Sequence, residues 1–209
     1  MRKFIILFII AVLFVSTYHM DIKDTKVVPA SPHEVHAQEF DLNADYSILM
    51  GEAIAAGDFE SARHYEELRE KKKAYLGIHD DVTFENLLLL SKIIHAEAGS
   101  SWLTEEHRQM VASVVINRVN SPEFPNTVYE VVYQKGQYAL AGTRYFANLI
   151  PSKASVLSAL SVLAKGSIIP NDVVFQSNFR QGSGVYKSIY DSKLGTTYFC
   201  HSSNRHLYK

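Results

Sequence analysis

The sequence has a single cysteine, Cys200, among its 209 residues. One cysteine cannot close an intramolecular disulfide, and it cannot supply a thiolate cage for zinc on its own. An excess of either charge is also lacking, because 21 basic residues stand against 22 acidic ones and the formal net charge is -1. A near-neutral chain lacks the bulk attraction on which nonspecific nucleic-acid binding depends, so we expect no nucleic-acid partner.

The composition is that of a globular protein, with 47% hydrophobic and 21% charged residues. These fractions exclude a disordered chain and a polytopic membrane protein. A length of 209 residues leaves room for one ordinary domain and a smaller element.

The first twenty residues have the layout of a signal peptide. Positive charge at Arg2 and Lys3 precedes an apolar run from Phe4 to Val15, which is short for a membrane span. No clear small-x-small cleavage site follows, so residues 1–20 are either a cleaved signal peptide or a retained N-terminal anchor. Either reading predicts an exported protein of the cell wall or the extracellular space, with membrane attachment if the anchor is retained.

Composition divides the rest of the chain into three parts. Residues 21–43 have linker composition, since they lack apolar periodicity and contain Pro29 and Pro32. Residues 44–76 repeat apolar side chains at intervals of three and four, interrupted at Gly57, which predicts a helical hairpin. The main domain is predicted to occupy residues 80–209.

Within that domain the helices precede the strands. An apolar helix is predicted over 84–98, and Thr104, Thr127 and Ser152 are predicted to cap three further helices. In the last of these, over 152–165, we expect Leu157 to face the core. Beyond Pro170, short runs rich in Val, Ile, Thr and aromatics are separated by glycines, which predicts a small C-terminal antiparallel sheet. This order favours an α+β fold over a doubly wound parallel sheet.

Glu97 is the strongest candidate for a catalytic residue. It lies at the C-terminal end of a largely apolar helix, where the helix dipole and partial burial both disfavour a negative charge. Both effects raise the pKa of a carboxyl group, and a carboxyl that stays protonated near neutral pH can act as a general acid. The small neighbours Ala96, Ala98 and Gly99 leave space for a bulky substrate.

Three sequence blocks together resemble the SleB-type cell wall hydrolase family, whose best-known members are spore cortex-lytic enzymes. The blocks are HAEAGSSW from His95, VASVVINRVNSPEFPNTVYEVVYQKGQYA over 111–139 and VVFQSNFRQGSGVY over 173–186. They follow the order of the family, and the resemblance extends over about residues 85–200. It implies a small lysozyme-like or lytic-transglycosylase-like α+β domain at residues 80–209 that acts on the glycan strands of peptidoglycan.

The resemblance also implies roles for individual residues. The catalytic acid of the family matches Glu97, although this chain departs from the common Glu-Ala-x-Gly-Glu form of the family, since Gly99 is followed by Ser100 and Ser101. Asn117 and Arg118 match an Asn-Arg pair of the family, and we expect Arg118 to be structural. Six further side chains are predicted to bind the glycan through hydrogen bonds or flat aromatic faces: Gln137, Tyr138, Gln176, Asn178, Tyr186 and Tyr198. We expect a monomer without a metal or a cofactor.

The reaction depends on whether a second carboxylate is present. A retaining glycosidase needs one about 5 Å from the acid and an inverting one needs it about 6.5 to 9.5 Å away. Glu105, Glu106 and Glu123 are the nearby options, and none is as well placed as Glu97. A lone acid favours a lytic transglycosylase, which forms a 1,6-anhydromuramic end, over a hydrolase.

Two other function classes stay open on the sequence. An N-acetylmuramoyl-L-alanine amidase would need a metal site or an activated nucleophile, for which no clear set of residues is evident. A noncatalytic peptidoglycan-binding module would keep the aromatic side chains without needing Glu97. The sequence also leaves open whether the substrate is vegetative wall or the spore cortex degraded in germination.

Overall fold

A computed structural model describes residues 40–208. The predicted leader at 1–20 and residues 21–39 of the predicted linker lie outside the described residues. Between residues 40 and 208, no helix is both long and apolar enough to cross a membrane.

The described chain is mostly helical and ends in one small sheet. Its helices are α1 (Tyr46–Ala56), α2 (Phe59–Leu76), α3 (Phe84–Ala98), α4 (Glu105–Val119), α5 (Val128–Tyr133), α6 (Arg144–Asn148) and α7 (Lys153–Lys165), and a 3-10 turn covers Arg205–Tyr208. Its strands are β1 (Val173–Ser177), β2 (Gly184–Asp191) and β3 (Gly195–His201). This arrangement confirms the α+β class.

The predicted helix caps are observed. The side chains of Thr104, Thr127 and Ser152 each accept a hydrogen bond from a backbone N–H three residues further along the chain. These bonds satisfy amide groups that a helix otherwise leaves free in its first turn. The starts of α4, α5 and α7 are therefore fixed by local sequence.

The core lies where α3, α4 and α7 pack against one another. Ile93 and Ile94 of α3 and Val111 of α4 are completely buried. The expected inward position of Leu157 in α7 is wrong, because this side chain is 43% exposed. Since α7 also packs on α1, it buries a broad face that includes the small residues Ser155 and Ser158, and Leu157 lies outside that face.

Helices α1 and α2 form a hairpin around Gly57. Asp45 and Asp58 cap the two helices, accepting hydrogen bonds from backbone N–H groups in their first turns. Gly57 has φ 77°, and a Cβ atom there would lie 2.9 Å from Cδ1 of Ile150. Glycine is thus required both by the left-handed turn and by the close approach of Ile150.

The hairpin shares the core with the rest of the chain. Met50 and Ile54 of α1 are completely buried, and a Cβ atom at Gly51 would lie 3.0 Å from Cγ1 of Val156 in α7. The described residues 40–208 form one compact unit. The hairpin therefore belongs to the same body as the predicted domain at 80–209, and whether that domain folds alone stays a prediction.

The sheet is antiparallel with the order β1-β3-β2. Phe199 of the central strand pairs with Gln176 of β1 and Lys187 of β2. Its ring packs edge-on against His107 of α4, with 5.8 Å between the ring centroids. This face of the sheet therefore covers the helical layer.

Candidate active site

Glu97 lies in the last turn of α3. The residue is exposed to solvent, yet burial of the carboxyl among protein atoms raises its pKa. The carboxyl thus loses part of its hydration while a ligand can still reach it. Within residues 40–208, no hydrogen bond or ion pair holds the carboxyl. No group among these residues therefore competes with a ligand for a hydrogen bond to it.

Two contacts fix the helix that carries Glu97. The Nδ1 atom of His95 accepts a hydrogen bond from the backbone N–H of Ser152 at 3.0 Å, which joins the end of α3 to the start of α7. One turn earlier, Nζ of Lys92 donates to the carbonyl of Ala147 at 2.8 Å. Both contacts reach residues more than fifty positions away in sequence, so the position of Glu97 depends on the tertiary fold.

Tyr138 lies near Glu97. Burial raises the pKa of the Tyr138 phenol, the charge of Arg118 opposes this, and the charge of Glu97 adds to it. Its hydroxyl is buried without a hydrogen-bond partner among the described residues, and the guanidinium carbon of Arg118 lies 5.4 Å from the ring centroid. The structure thus brings together two side chains that the sequence analysis predicted from separate blocks.

Arg118 and its neighbour Asn117 connect α4 to β1. The Nε atom of Arg118 donates to the carbonyl of Val174 at 2.7 Å, and Nδ2 of Asn117 donates to the carbonyls of Pro170 and Val173 at 2.7 and 3.0 Å. Both side chains are almost fully buried. These contacts support the structural role expected for Arg118 and also place it behind Tyr138.

The other predicted binding residues are spread over two regions. Gln137 is exposed and, with Tyr138, lines a cavity of about 350 Å³ formed by residues 132–141. Gln176 pairs with Phe199, so it faces the helical layer, where its Oε1 atom is buried without a partner in the described chain. Tyr198, one residue before Phe199, points to the opposite face of the sheet, and Arg180 lies 5.7 Å from its ring centroid. A substrate groove along one face of the sheet can therefore contact Gln176 or Tyr198, but not both.

Two predicted residues lie at the edges of the sheet. Asn178 is exposed in the segment after β1. Tyr186 in β2 is 42% exposed, and its ring packs edge-on against His201 with 5.9 Å between centroids. Neither has a described contact with Glu97.

The candidate second carboxylates are all engaged elsewhere. Glu105 accepts a hydrogen bond from Gln109 at 2.7 Å, and Glu106 forms an ion pair with Lys187 at 2.6 Å. Glu123 accepts hydrogen bonds from three side chains: Ser202, Asn204 and Tyr208. Burial acts to raise the pKa of Glu123, but these hydrogen bonds outweigh it and the pKa is lowered. Glu123 is therefore suited to remain ionised, in contrast to Glu97.

Trp102 is a feature of the site region that the sequence analysis did not single out. It lies five residues after Glu97 in the connection from α3 to α4 and is 50% exposed. Nζ of Lys193 lies 4.1 Å from the ring centroid, and the pKa of the nearby Asp191 is lowered by the backbone N–H of Lys193 and, to a smaller extent, by the Trp102 side chain. The sequence did contain a signal for this residue, because Trp102 is the one tryptophan of the chain and lies in the HAEAGSSW block.

Two larger cavities lie beside the α1–α2 hairpin. Their volumes are about 410 and 440 Å³, and their walls include Lys73 and Asp80. The cationic groups there are already engaged, because Arg69 and Lys73 both form ion pairs with Asp80. We therefore place the candidate site at Glu97, whose carboxyl has no partner in the part of the chain that the structure describes.

Comparison with known proteins bears on residues 104–203, which match the sequence model of a family described as Cell Wall Hydrolase. The match confirms the resemblance and supports an enzyme that degrades the cell wall, with peptidoglycan as the implied substrate. It begins seven residues after Glu97, so the candidate acid lies outside the matched range. No curated protein and no solved structure matches the chain.

Proposed function

We propose that the protein cleaves the glycan strand of peptidoglycan, because residues 104–203 match the sequence model of the Cell Wall Hydrolase family. The bond cleaved lies between N-acetylmuramic acid and N-acetylglucosamine, and the enzyme acts as a lytic transglycosylase. Glu97 is the acid and then the base of the reaction. The observation that carries this proposal is the accessible Glu97 carboxyl, which has a raised pKa and no partner in the described chain.

The reaction needs one group that both gives and takes a proton. Protonated Glu97 donates its proton to the glycosidic oxygen as the bond from that oxygen to C1 of the muramyl residue breaks, and positive charge develops at C1. The resulting carboxylate then accepts the proton of the muramyl 6-hydroxyl while the oxygen of that hydroxyl bonds to C1. The products are a free hydroxyl on the leaving sugar and a 1,6-anhydro ring, and Glu97 is protonated again.

The engagement of the other carboxylates supports this reaction over hydrolysis. A hydrolase would use a second carboxylate to activate water or to attack C1. Glu105, Glu106 and Glu123 all have hydrogen-bond or ion-pair partners. Ring closure within the substrate requires no such residue.

A cysteine nucleophile acting on the stem peptide is disfavoured. Cys200 lies in the central strand β3 and is completely buried. A nucleophile must reach the carbonyl carbon that it attacks, and this sulfur is out of reach of a large polymer.

Export is part of the proposal, since the substrate lies outside the cytoplasm. The positive start and the apolar run of residues 1–20 support it. Cleavage of the leader yields a free wall enzyme, whereas retention yields a membrane-attached one. Muropeptide analysis on vegetative walls and on spore cortex identifies which wall is the natural substrate.

The test is mass spectrometry of the muropeptides released by the wild type and by Glu97→Gln. We expect wild-type products to end in 1,6-anhydromuramic acid and the variant to release none, since glutamine keeps the shape but cannot deliver the proton. Glu85→Gln is the matched control, because Glu85 is an exposed residue in the first turn of the same helix. Reducing muramic ends, heavier by one water, would instead identify a hydrolase. Full activity of Glu97→Gln would remove Glu97 from the mechanism.

A further inference from the structure

Trp102 is exposed and lies against the turn between β2 and β3. The ammonium group of Lys193 in this turn stands over the ring. Asp191, which begins the turn, accepts hydrogen bonds from the backbone N–H groups of Lys193 and Leu194 at 2.9 and 3.0 Å. These bonds, and to a smaller extent the nearby Trp102 side chain, lower the pKa of Asp191. The ring is therefore in contact with an ordered turn of the sheet.

One face of the ring is covered and the rest is open. The ammonium group of Lys193 lies 4.1 Å from the ring centroid, in the arrangement of a cation–π contact. Half of the side chain nevertheless remains exposed. An exposed aromatic ring that a neighbouring cation already contacts offers a flat platform to a ligand, and little ordering entropy is lost on binding.

The platform lies close to the candidate acid. Five residues separate Glu97 and Trp102, so their Cα atoms are at most about 18 Å apart. The separation is shortened by a turn in which the backbone N–H of Leu103 donates to the carbonyl of Ser100 at 3.1 Å. A glycan strand of a few sugar units is long enough to span this separation.

We propose that Trp102 is a glycan-binding residue whose free face stacks on an N-acetylhexosamine ring of the peptidoglycan strand, a few units from the cleaved bond. The C–H groups on one side of a pyranose ring form an apolar face that matches the indole. Lys193 is a positioning residue that holds the indole in place, and Asp191 orders the turn that carries Lys193. The inference rests on the proposed action on glycan strands, and it adds a residue that binds the strand near Glu97.

The first experiment uses the fact that Trp102 is the only tryptophan of the chain. Tryptophan emission of the full-length protein therefore reports this ring alone. Glu97→Gln is titrated with soluble glycan strands stripped of their stem peptides, and with stem peptides alone. We expect a saturable change in emission with the glycan strands and none with the peptides. Unchanged emission under conditions where sedimentation shows the glycan strands bound overturns the assignment.

The second experiment measures the kinetics of variants. Trp102→Ala is expected to raise KM about tenfold while kcat changes less than about threefold, as expected when a ground-state contact of about 1.4 kcal/mol is lost. Trp102→Phe keeps a flat face and is expected to recover most of the affinity. Tyr75→Ala, at a 67% exposed aromatic of α2, is the control and should leave KM unchanged. If Trp102→Ala lowers kcat and leaves KM unchanged, the ring only stabilises the connection from α3 to α4, and the proposal is refuted.

The outcomes separate this inference from the proposed function. Wild-type protein that cleaves no glycan, while the emission of Glu97→Gln still responds to glycan strands, refutes the reaction and supports the platform. Normal cleavage, with unchanged tryptophan emission and an unchanged KM for Trp102→Ala, supports the reaction and refutes the role of Trp102. If Trp102→Ala fails to fold by circular dichroism, the emission titration and Trp102→Phe still decide the matter.

Discussion

Replacing Asn117 by alanine tests whether this residue supports the fold or touches the substrate. Asn117 is 3% exposed, and its Nδ2 atom donates to two backbone carbonyls, those of Pro170 and Val173. Alanine removes both hydrogen bonds, although the Pro170 carbonyl still accepts one from the backbone N–H of Val173. Each lost buried hydrogen bond costs about 1 to 2 kcal/mol, so we expect the free energy of unfolding to fall by about 2 to 4 kcal/mol.

The assay is thermal and urea unfolding followed by circular dichroism. A loss of that size corresponds to a fall in Tm of about 4 to 16 °C for a chain of this length. Asn148→Ala is the matched control, because Asn148 is exposed and donates only to the carbonyl of Arg144 within its own helix. We expect it to lose less than about 0.5 kcal/mol.

Activity completes the test. Well below the Tm of the variant, we expect kcat of Asn117→Ala to stay within about threefold of the wild type, because the role assigned to Asn117 is to join α4 to β1. A stability equal to that of Asn148→Ala, or a loss of activity without a loss of stability, would refute the structural role.

Three further predictions concern other parts of the structure. Because burial raises the pKa of Glu97, its acid form persists to higher pH than that of an ordinary glutamate. We therefore expect kcat/KM to decrease on the alkaline side with an apparent pKa above about 4.5. An apparent pKa at or below that value would contradict the assignment. Arg69→Met should destabilise the fold by about 3 to 5 kcal/mol, because it leaves Asp80 partly buried without its main partner. Burial acts to raise the pKa of Asp80, but hydrogen bonds from Arg69, the backbone N–H of Val82 and Lys73 together outweigh it and the pKa is lowered. In urea unfolding, the wild type should lose this stability as the pH falls through the lowered pKa, and Arg69→Met should lose less over the same pH range. Gly57→Ala should lower Tm, because the residue has φ 77° and its Cβ would meet Ile150 at 2.9 Å; an unchanged Tm would show that the hairpin turn can relax.

Elements set by local signals could be predicted from the sequence. The bounds of α3 follow from its apolar block, and the caps at Thr104, Thr127 and Ser152 follow from side chains that satisfy the first amides of a helix. Helix α6 was not predicted, because its five residues are too few to display a period.

The position of Leu157 could not be read from the sequence. Apolar periodicity indicates that a helix has an inner face, but the width and rotation of that face depend on which helices cover it. Here α7 meets α1, α3 and α4, and the small Ser155 and Ser158 allow close approach while Leu157 is left outside.

The candidate site was predictable in part. Glu97 followed from an awkward charge at a helix end, which needs only local sequence. Its proximity to Tyr138, and the opposite faces of Gln176 and Tyr198, depend on tertiary packing and on strand register. The alternation of side chains along one strand shows which of its residues share a face of the sheet, but it does not show which residues of a neighbouring strand lie on that same face.

The order of the strands has a consequence for the timing of folding. β3 is the middle strand of the sheet, but it follows both of its neighbours in the chain. During synthesis, helices α1 to α7 can assemble while β1 and β2 still lack the strand that lies between them. A nascent chain therefore keeps two open strand edges until residue 201 has emerged, and the turn that holds Trp102 is completed only in that final stage. The last event of folding would therefore bring Lys193 against the Trp102 ring.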